Sequence, residues 1–307
     1  MTIDGKDIGA TWNMCLVKDS FNSLLKYPKR MAARYTNYAE RDGITPDLRR
    51  FETEPRQVSL VFFITHSSES EFRALYDDFF AAVNDSGYHM FDFGIGLSYK
   101  FRYDRTRSMR MMKPYSVNGG TVISMEYMED AASINERVKI AIGGIELKGM
   151  YSVGGVDFGD FGIHPDGTVG EVLKYADAKE AFSDGRVYNL NTRRLRHKEI
   201  TIPLWMYSVT QAEFINNYQA FYNAFAKSGS QSVYIREIDA VVESYYLECT
   251  TYKVNWGSRV TARFSIKLCI PVVGWLRGVS SSNYRVMSDP ELGLLADEEG
   301  RILTLNR

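Results

Sequence analysis

Two stretches of the chain, "VSLVFFIT" from Val58 and "ITIPLWMY" from Ile200, alternate their apolar positions with the two-residue period of a β-strand. Val58, Leu60, Phe62 and Ile64 share one face, as do Ile200, Ile202, Leu204 and Met206, and that face is the expected core. The opposite face carries Phe63 in one strand and Trp205 and Tyr207 in the other, too apolar for free solvation, so a cover over it is expected. Pro203 lacks the amide proton that a ladder uses, which places it at an edge or a bulge. The period then changes to that of a helix. Ser68-x-x-Glu71 and Thr210-x-x-Glu213 are capping boxes at two helix starts. Phe72, Leu75, Tyr76, Phe79 and Val83 recur at helical spacing, and Phe214, Tyr218, Phe221 and Phe225 repeat the stripe. Phe80 and Tyr222 stand at its edge, where a partner could meet them. Gly87 and Gly229 follow as stops of the left-handed kind.

These parallels extend to identity. "EFRALYDDFFAAVNDSG" from Glu71 and "EFINNYQAFYNAFAKSG" from Glu213 share seven of seventeen residues at a spacing of 142, where average usage gives about one by accident. At the same spacing Ile3, Asp4 and Lys6 face Ile145, Glu146 and Lys148. Beyond the helices the strand period returns, in Tyr99, Phe101, Tyr103 and Ile123, Met125, Tyr127 of the first copy and in Tyr245, Leu247, Cys249 and Val260 to Ile270 of the second. The pattern predicts a mainly β (α+β) protein of two tandem, similar β-sandwich domains, each with one α-helix. The domains span residues 1–135 and 136–274, and residues 275–307 hold a Ser-rich link and a small hairpin about Asp297 to Gly300. A chain of 307 residues also exceeds the usual size of a single core.

Between each domain's start and its core strand lies a long segment, Leu24 to Arg50 in the first copy and Val153 to Gly185 in the second. Loops of that length in compact domains are functional, or are arms that grip a neighbour. The aromatic share of 13% suits β structure and large interfaces. Tyr27, Tyr35, Tyr38, Phe63, Phe80, Trp205, Tyr207 and Tyr222 are the candidate interface residues.

Charge narrows the classes further. Lys+Arg 37 against Asp+Glu 38 leaves a net charge near −1, so no global field draws the chain to nucleic acid or an anionic membrane. The apolar run Leu60 to Ile64 is far short of the roughly 20 residues that span a bilayer, and the N-terminus lacks an apolar signal core, so neither membrane insertion nor export is expected. The three cysteines, Cys15, Cys249 and Cys269, are widely spaced and read as buried free thiols.

No catalytic, cofactor or metal site is expected. His66, His89, His164 and His197 form no H-x-x-x-H or H-E-x-x-H, and no phosphate loop, nucleophile elbow or dinucleotide fingerprint is present. Asp157, Asp160 and Asp166 in "DFGDFGIHPDG" lack the spacing and terminal Glu of a calcium loop and read as a turn-rich loop. The basic run Arg102 to Lys113 has no counterpart in the second copy and reads as a strand end with a solvated face.

The order "RRLRHKEITIPLWM", "TQAEFINNYQAFYNAFAKSG", "SVYIREID" and "ESYYLECTTYKV", matched in the first copy by "PRQVSLVFFITHSSESEFRALYDDFFAAVNDSG", resembles the N-terminal domain of the distal tail proteins of long-tailed bacteriophages and prophages. The likeness covers about half of each copy. It implies a structural protein of the virion tail tip or baseplate, made in the bacterial cytoplasm. Copies would form a ring that continues the tail tube, meets tube and hub proteins, carries host-recognition proteins and passes DNA as cargo. Many members of that family follow the ring domain with a carbohydrate-module-like domain, whereas here the second half repeats the first. A trimer with pseudo-six-fold symmetry and a hexamer of two stacked rings both fit that duplication. The alternative of another class is a two-domain carbohydrate-binding module that presents Tyr35, Tyr38 and Trp205 to a glycan.

Overall fold

A computed structural model describes residues 1–17, 20, 22–38, 41–94, 96–112, 119–131, 149–167, 169, 172, 179, 182–183, 187–188, 194–256, 259–273, 284–286, 288–289, 293–294 and 304–306. Within them the first half runs β1 (Thr2–Ile3), β2 (Lys6–Asp7), α1 (Ile8–Trp12), β3 (Met14–Leu16), β4 (Tyr35–Thr36), β5 (Thr45–Pro46), β6 (Arg56–His66), α2 (Glu69–Val83), β7 (His89–Asp92), β8 (Ser98–Met112) and β9 (Gly119–Glu129). The second half runs β10 (Tyr151–Val153), β11 (Val156–Asp157), a 3-10 turn (Phe158–Phe161), β12 (Ile163–Pro165), β13 (Phe182–Ser183), β14 (Val187–Tyr188), β15 (Lys198–Ser208), α3 (Gln211–Phe225), β16 (Gln231–Ile235), β17 (Ala240–Trp256) and β18 (Val260–Ile270).

The fold is mostly β, with antiparallel sheets and few helices. The first half orders its strands β2-β1-β7-β8-β9-β6-β3 and the second β11-β10-β16-β17-β18-β15-β12, so the two topologies coincide strand for strand. The long central strand lets each sheet turn over on itself: the start of β8 pairs with β7 and the remainder with β9. The ladder of β8 shifts register between Tyr103 and Arg105 and between Thr106 and Ser108. That of β17 shifts at the matching places, Tyr246 to Glu248 and Cys249 to Thr251. Bulges bend a strand at chosen points, and two copied bulges make the repeat one of geometry as well as sequence. They also break the strict alternation expected around Leu247, because Tyr246 faces the core while Tyr245 and Leu247 join a cluster on the opposite face.

The pairing corrects the expected match of the two starts. Ile3 lies opposite Phe91 and Val153 lies opposite Val233, so Ile3 corresponds to Val153 and not to Ile145. Each half opens with a two-residue hairpin whose central residues have positive φ, Asp4 and Gly5 in the first and Gly154 and Gly155 in the second. Asp7 and Asp157 then cap the turns that follow, accepting from Ala10 N at 2.8 Å and Gly159 N at 2.8 Å. The expected domain boundary at residue 136 and the turn Asp297 to Gly300 lie outside the described residues. Near the latter, Ser288–Asp289 pairs with Gly293–Leu294 and Tyr284–Val286 with Thr304–Asn306.

Both helices start as expected. Ser68 Oγ accepts from Glu71 N and Thr210 Oγ1 from Glu213 N, each at 3.2 Å. The Glu carboxylates reach back one residue further than a capping box requires, to Ser67 N and Val209 N. Phe79 and Phe221 are wholly buried, each with an aromatic edge against it, from Trp12 at 5.3 Å and from Phe161 at 5.4 Å. The helix ends differ from the expectation: α2 closes at Asn84 and α3 at Ala226, and of the two later glycines only Gly229 has a positive φ.

On the second face of the core strands the large side chains lie against residues of their own sheet and stay half-buried. A Cβ on Gly120 would lie 2.1 Å from the Phe63 ring, so Phe63 lies across that glycine. Trp205 packs on His164 of β12 at 4.9 Å. Pro203 shows why it is tolerated: its carbonyl accepts from Asp166 N at 2.9 Å, so its nitrogen faces the side where β12 ends.

Candidate assembly site

The segment between β3 and β6 is a strap laid over the second half of its own chain. It starts on the core side of that half. Tyr27, 5% exposed, stacks on Tyr218 at 4.2 Å and on Tyr222 at 4.6 Å, while its hydroxyl donates to the Tyr218 carbonyl at 2.7 Å. The Tyr218 hydroxyl donates back to the Leu25 carbonyl. Trp256 Nε1 donates to Asn22 Oδ1 at 2.8 Å, and the Tyr246 hydroxyl donates to the Pro28 carbonyl at 3.0 Å. Burial pushes the Tyr27, Tyr218 and Tyr246 phenols well above their usual range, so they remain neutral hydrogen-bond donors.

The strap then crosses the edge of β17. Arg30 N donates to the Leu247 carbonyl at 2.8 Å, and the Arg30 guanidinium sits between the rings of Phe51 at 5.1 Å and Tyr245 at 5.4 Å. On the far face Ile44 packs with Tyr245 and Cys269, with Leu48 and Leu247 beside them. Gly43 N and Ile44 N donate to the carbonyls of Leu195 and Pro271, and Leu48 O accepts from Gly229 N. Lys179 Nζ donates to the carbonyls of Tyr38, Arg41 and Gly43. Gly43 has φ +66, and a Cβ there would come within 1.8 Å of the Pro271 carbonyl oxygen. Gly43→Ala is therefore expected to lift the strap locally and cost about 1–3 kcal/mol, read as a lower denaturant midpoint with unchanged slope.

A buried ion pair holds the root of the strap to the first half. Arg56 Nε pairs with the Glu129 carboxylate, Arg56 donates to the Leu24 and Lys26 carbonyls, and its guanidinium lies 5.7 Å from the Tyr99 ring. Glu129 is buried, which raises its carboxyl pKa, and the Arg56 charge acts in the opposite direction. The pair borders a cavity of about 490 Å³ between the halves, lined in part by Leu25, Leu97, Tyr99, Gln219 and Asn223.

The candidate interface residues thus divide. Tyr27 and Tyr222 are buried within the chain and are no surface for a neighbour, because the strap and α3 use each other as partners. The strap grips its own second half, where the length of the segment alone suggested a neighbouring chain. Tyr35 and Tyr38 on the outer part of the strap are 57% and 46% exposed. Phe63, Trp205 and Tyr207 are half-buried on the second face of β6 and β15, and the Arg259 guanidinium lies 5.7 Å from the Tyr207 ring. Phe80 is half-buried on α2, edge-on to Tyr103 at 5.4 Å. Arg30, Arg56, Glu129 and Lys179 carry the joint together with Gly43, and none of these four side chains is singled out by sequence pattern.

In the turn-rich loop, Asp157 and Asp166 have structural partners. Asp157 accepts from Gly149 N and Gly159 N, while Asp166 faces Arg263 at 3.5 Å. Among the described residues no three His, Cys, Asp or Glu side chains converge as metal ligands. Burial lowers the His164 pKa. Cys249 and Cys269 are buried, with thiols pushed up to about 11, but Cys15 is exposed on the short strand β3, contrary to its expected burial. In the basic run Arg102 pairs with Asp130 and Arg105 with Glu126, across the β8–β9 ladder. Among the described residues no helix is long and apolar enough to cross a membrane.

No family model matches the chain, and no curated protein matches it. Among solved structures, the crystal structure of the SPP1 Dit (gp 19.1) protein, described as a paradigm of hub adsorption apparatus in Gram-positive infecting phages, aligns with it. That alignment covers 88% of this chain and 97% of that one, at 8% identity and a TM-score of 0.26.

Proposed function

We propose that the protein is a structural component of a phage or prophage tail tip, where copies of the chain join into a closed ring that continues the tail tube. The observation that carries this reading is the repeat of one sandwich with its strands, bulges and helix in the same order, joined within the chain by a strap from the first unit onto the second. Such a joint is heterologous: one surface of a unit meets a different surface of a like unit, and joints of this kind generate rings when the rotation closes. The resemblance of the strand-helix-strand order to distal tail proteins supports a place at the tail tip. The ring would sit at the virion tail tip, dock tube, hub and host-recognition proteins, and pass DNA through its channel without catalysing a reaction.

Native mass measurement of the purified full-length protein at micromolar concentration tests this. Three or six times the chain mass is expected. A lone chain that retains a glycan would instead select the carbohydrate-binding module and give Tyr35 and Tyr38 that role.

A further inference from the structure

In the second half, the strap lies against α3 and the later part of β17, where Tyr252 and Val254 are half-buried. In the first half, no strap lies on the corresponding face among the described residues. The correspondence is fixed by ladder positions: Tyr252 of β17 lies opposite Phe264 of β18, and Met109 of β8 lies opposite Ile123 of β9. One step along, Val254 faces Ala262 and Met111 faces Thr121. Ile123 and Thr121 are wholly buried, so Met109 and Met111 stand on the core side of their sheet, yet they are 41% and 38% exposed. On the helices Tyr218 and Tyr222 of α3 match Tyr76 and Phe80 of α2 by position. The first pair is buried under Tyr27, and the second pair is half-buried. The edge tells the same story. Where Arg30 of the strap bonds β17, the outer edge of β8 beyond Phe101 has no strand partner among the described residues. An apolar face continuous with a core, beside an unpaired edge, is a liability unless something covers it.

We infer that Tyr76, Phe80, Tyr103, Met109 and Met111 form the docking face for the second half of another copy of this chain. The inference rests on the ring reading above and names the surface through which copies join. The occupant follows from the repeat: the matched face is met by a like unit of the same protein. Among the described residues the first half's own strap is committed to the second half, which points to a cover from a different molecule. Methionine suits such a face, because its unbranched side chain fits a partner that is related to, but not identical with, the strap seen inside the chain. Each copy then offers a docking face at its first half and a gripping surface at its second, which propagates head to tail and closes as a ring.

The experiment compares the wild type, Met109→Asp with Met111→Asp, and Met109→Leu with Met111→Leu by sedimentation velocity, with hydrogen exchange on the assembled wild type. The Asp pair should weaken association by about tenfold or more, since the charges would be buried on docking. Its unfolding midpoint should stay close to that of the wild type because both sites are exposed in the free chain. The Leu pair should assemble normally, and assembly should slow exchange across Tyr76 to Phe80 and Thr106 to Met111. An Asp pair that folds and assembles like the wild type overturns the docking face and leaves the ring standing. A wild type that stays monomeric overturns both. If the Asp pair does not fold, unchanged exchange at these residues on assembly of the wild type is the overturning result.

Discussion

Tyr27→Ala should cost about 3–5 kcal/mol, the loss expected for truncating a large buried aromatic side chain. The ring lies between Tyr218 and Tyr222 and meets Phe264 edge-on, and its hydroxyl bonds the helix backbone at Tyr218. Alanine would leave a void against α3 and two phenol faces without their stacking partner. It would also loosen the joint between the halves, since the strap carrying Tyr27 belongs by sequence to the first half and packs in the core of the second. Urea unfolding followed by tryptophan fluorescence should therefore change from one transition towards two, with the lower one assigned to the second half through Trp205 and Trp256. A midpoint unchanged from the wild type would show that the strap contributes no stability to α3.

Arg56→Met should be as damaging, for an electrostatic reason. Removing one member of a buried ion pair strands the other charge and costs about 3–5 kcal/mol. Glu129 would remain buried without the guanidinium that now offsets its desolvation. Its folded-state pKa, already raised by burial, would rise further above the unfolded value. For a carboxyl shifted upward, stability is fully present below the unfolded pKa and is lost as pH rises through the folded one. The variant should therefore be closest to the wild type near pH 4 to 5, a window set by the usual Glu pKa of about 4.3, and fall away towards neutrality. Adding Glu129→Met should recover much of the loss at neutral pH, because the stranded charge is gone. Denaturant midpoints across that pH range check both statements. A loss that is constant with pH, or a double variant no better than the single one, would place the cost in packing around Tyr99 and not in the stranded charge.

The core strands and helices were legible because their signals are local. Val58 to Ile64 and Phe72 to Val83 carry their periods within a few turns of chain, and the Ser68 and Thr210 caps act over three residues. The repeat was legible for the same reason, as it lies where one residue pattern recurs. The match of the two starts failed because Ile3, Asp4 and Lys6 find a chance likeness at Ile145, whereas the ladder is set by the positive-φ hairpins at Asp4-Gly5 and Gly154-Gly155. The strap was legible as a long segment but its destination was not, since Tyr27 and its partner Tyr218 are far apart in sequence. Tyrosine suits a wet interface and a buried stack equally well, so residue type alone could not separate Tyr27 from Tyr35. Met109 and Met111 are the converse case. Their exposure is informative only beside Tyr252 and Val254, and that comparison requires the bulged register of β8 and β17.

A ring built from a duplicated sandwich should be visible in negative-stain images of the purified protein at micromolar concentration. Closed particles with a central channel and three-fold or six-fold symmetry are predicted, with two sandwich-sized densities per chain around each ring or one in each of two stacked rings. A uniform field of particles the size of a single chain would contradict it.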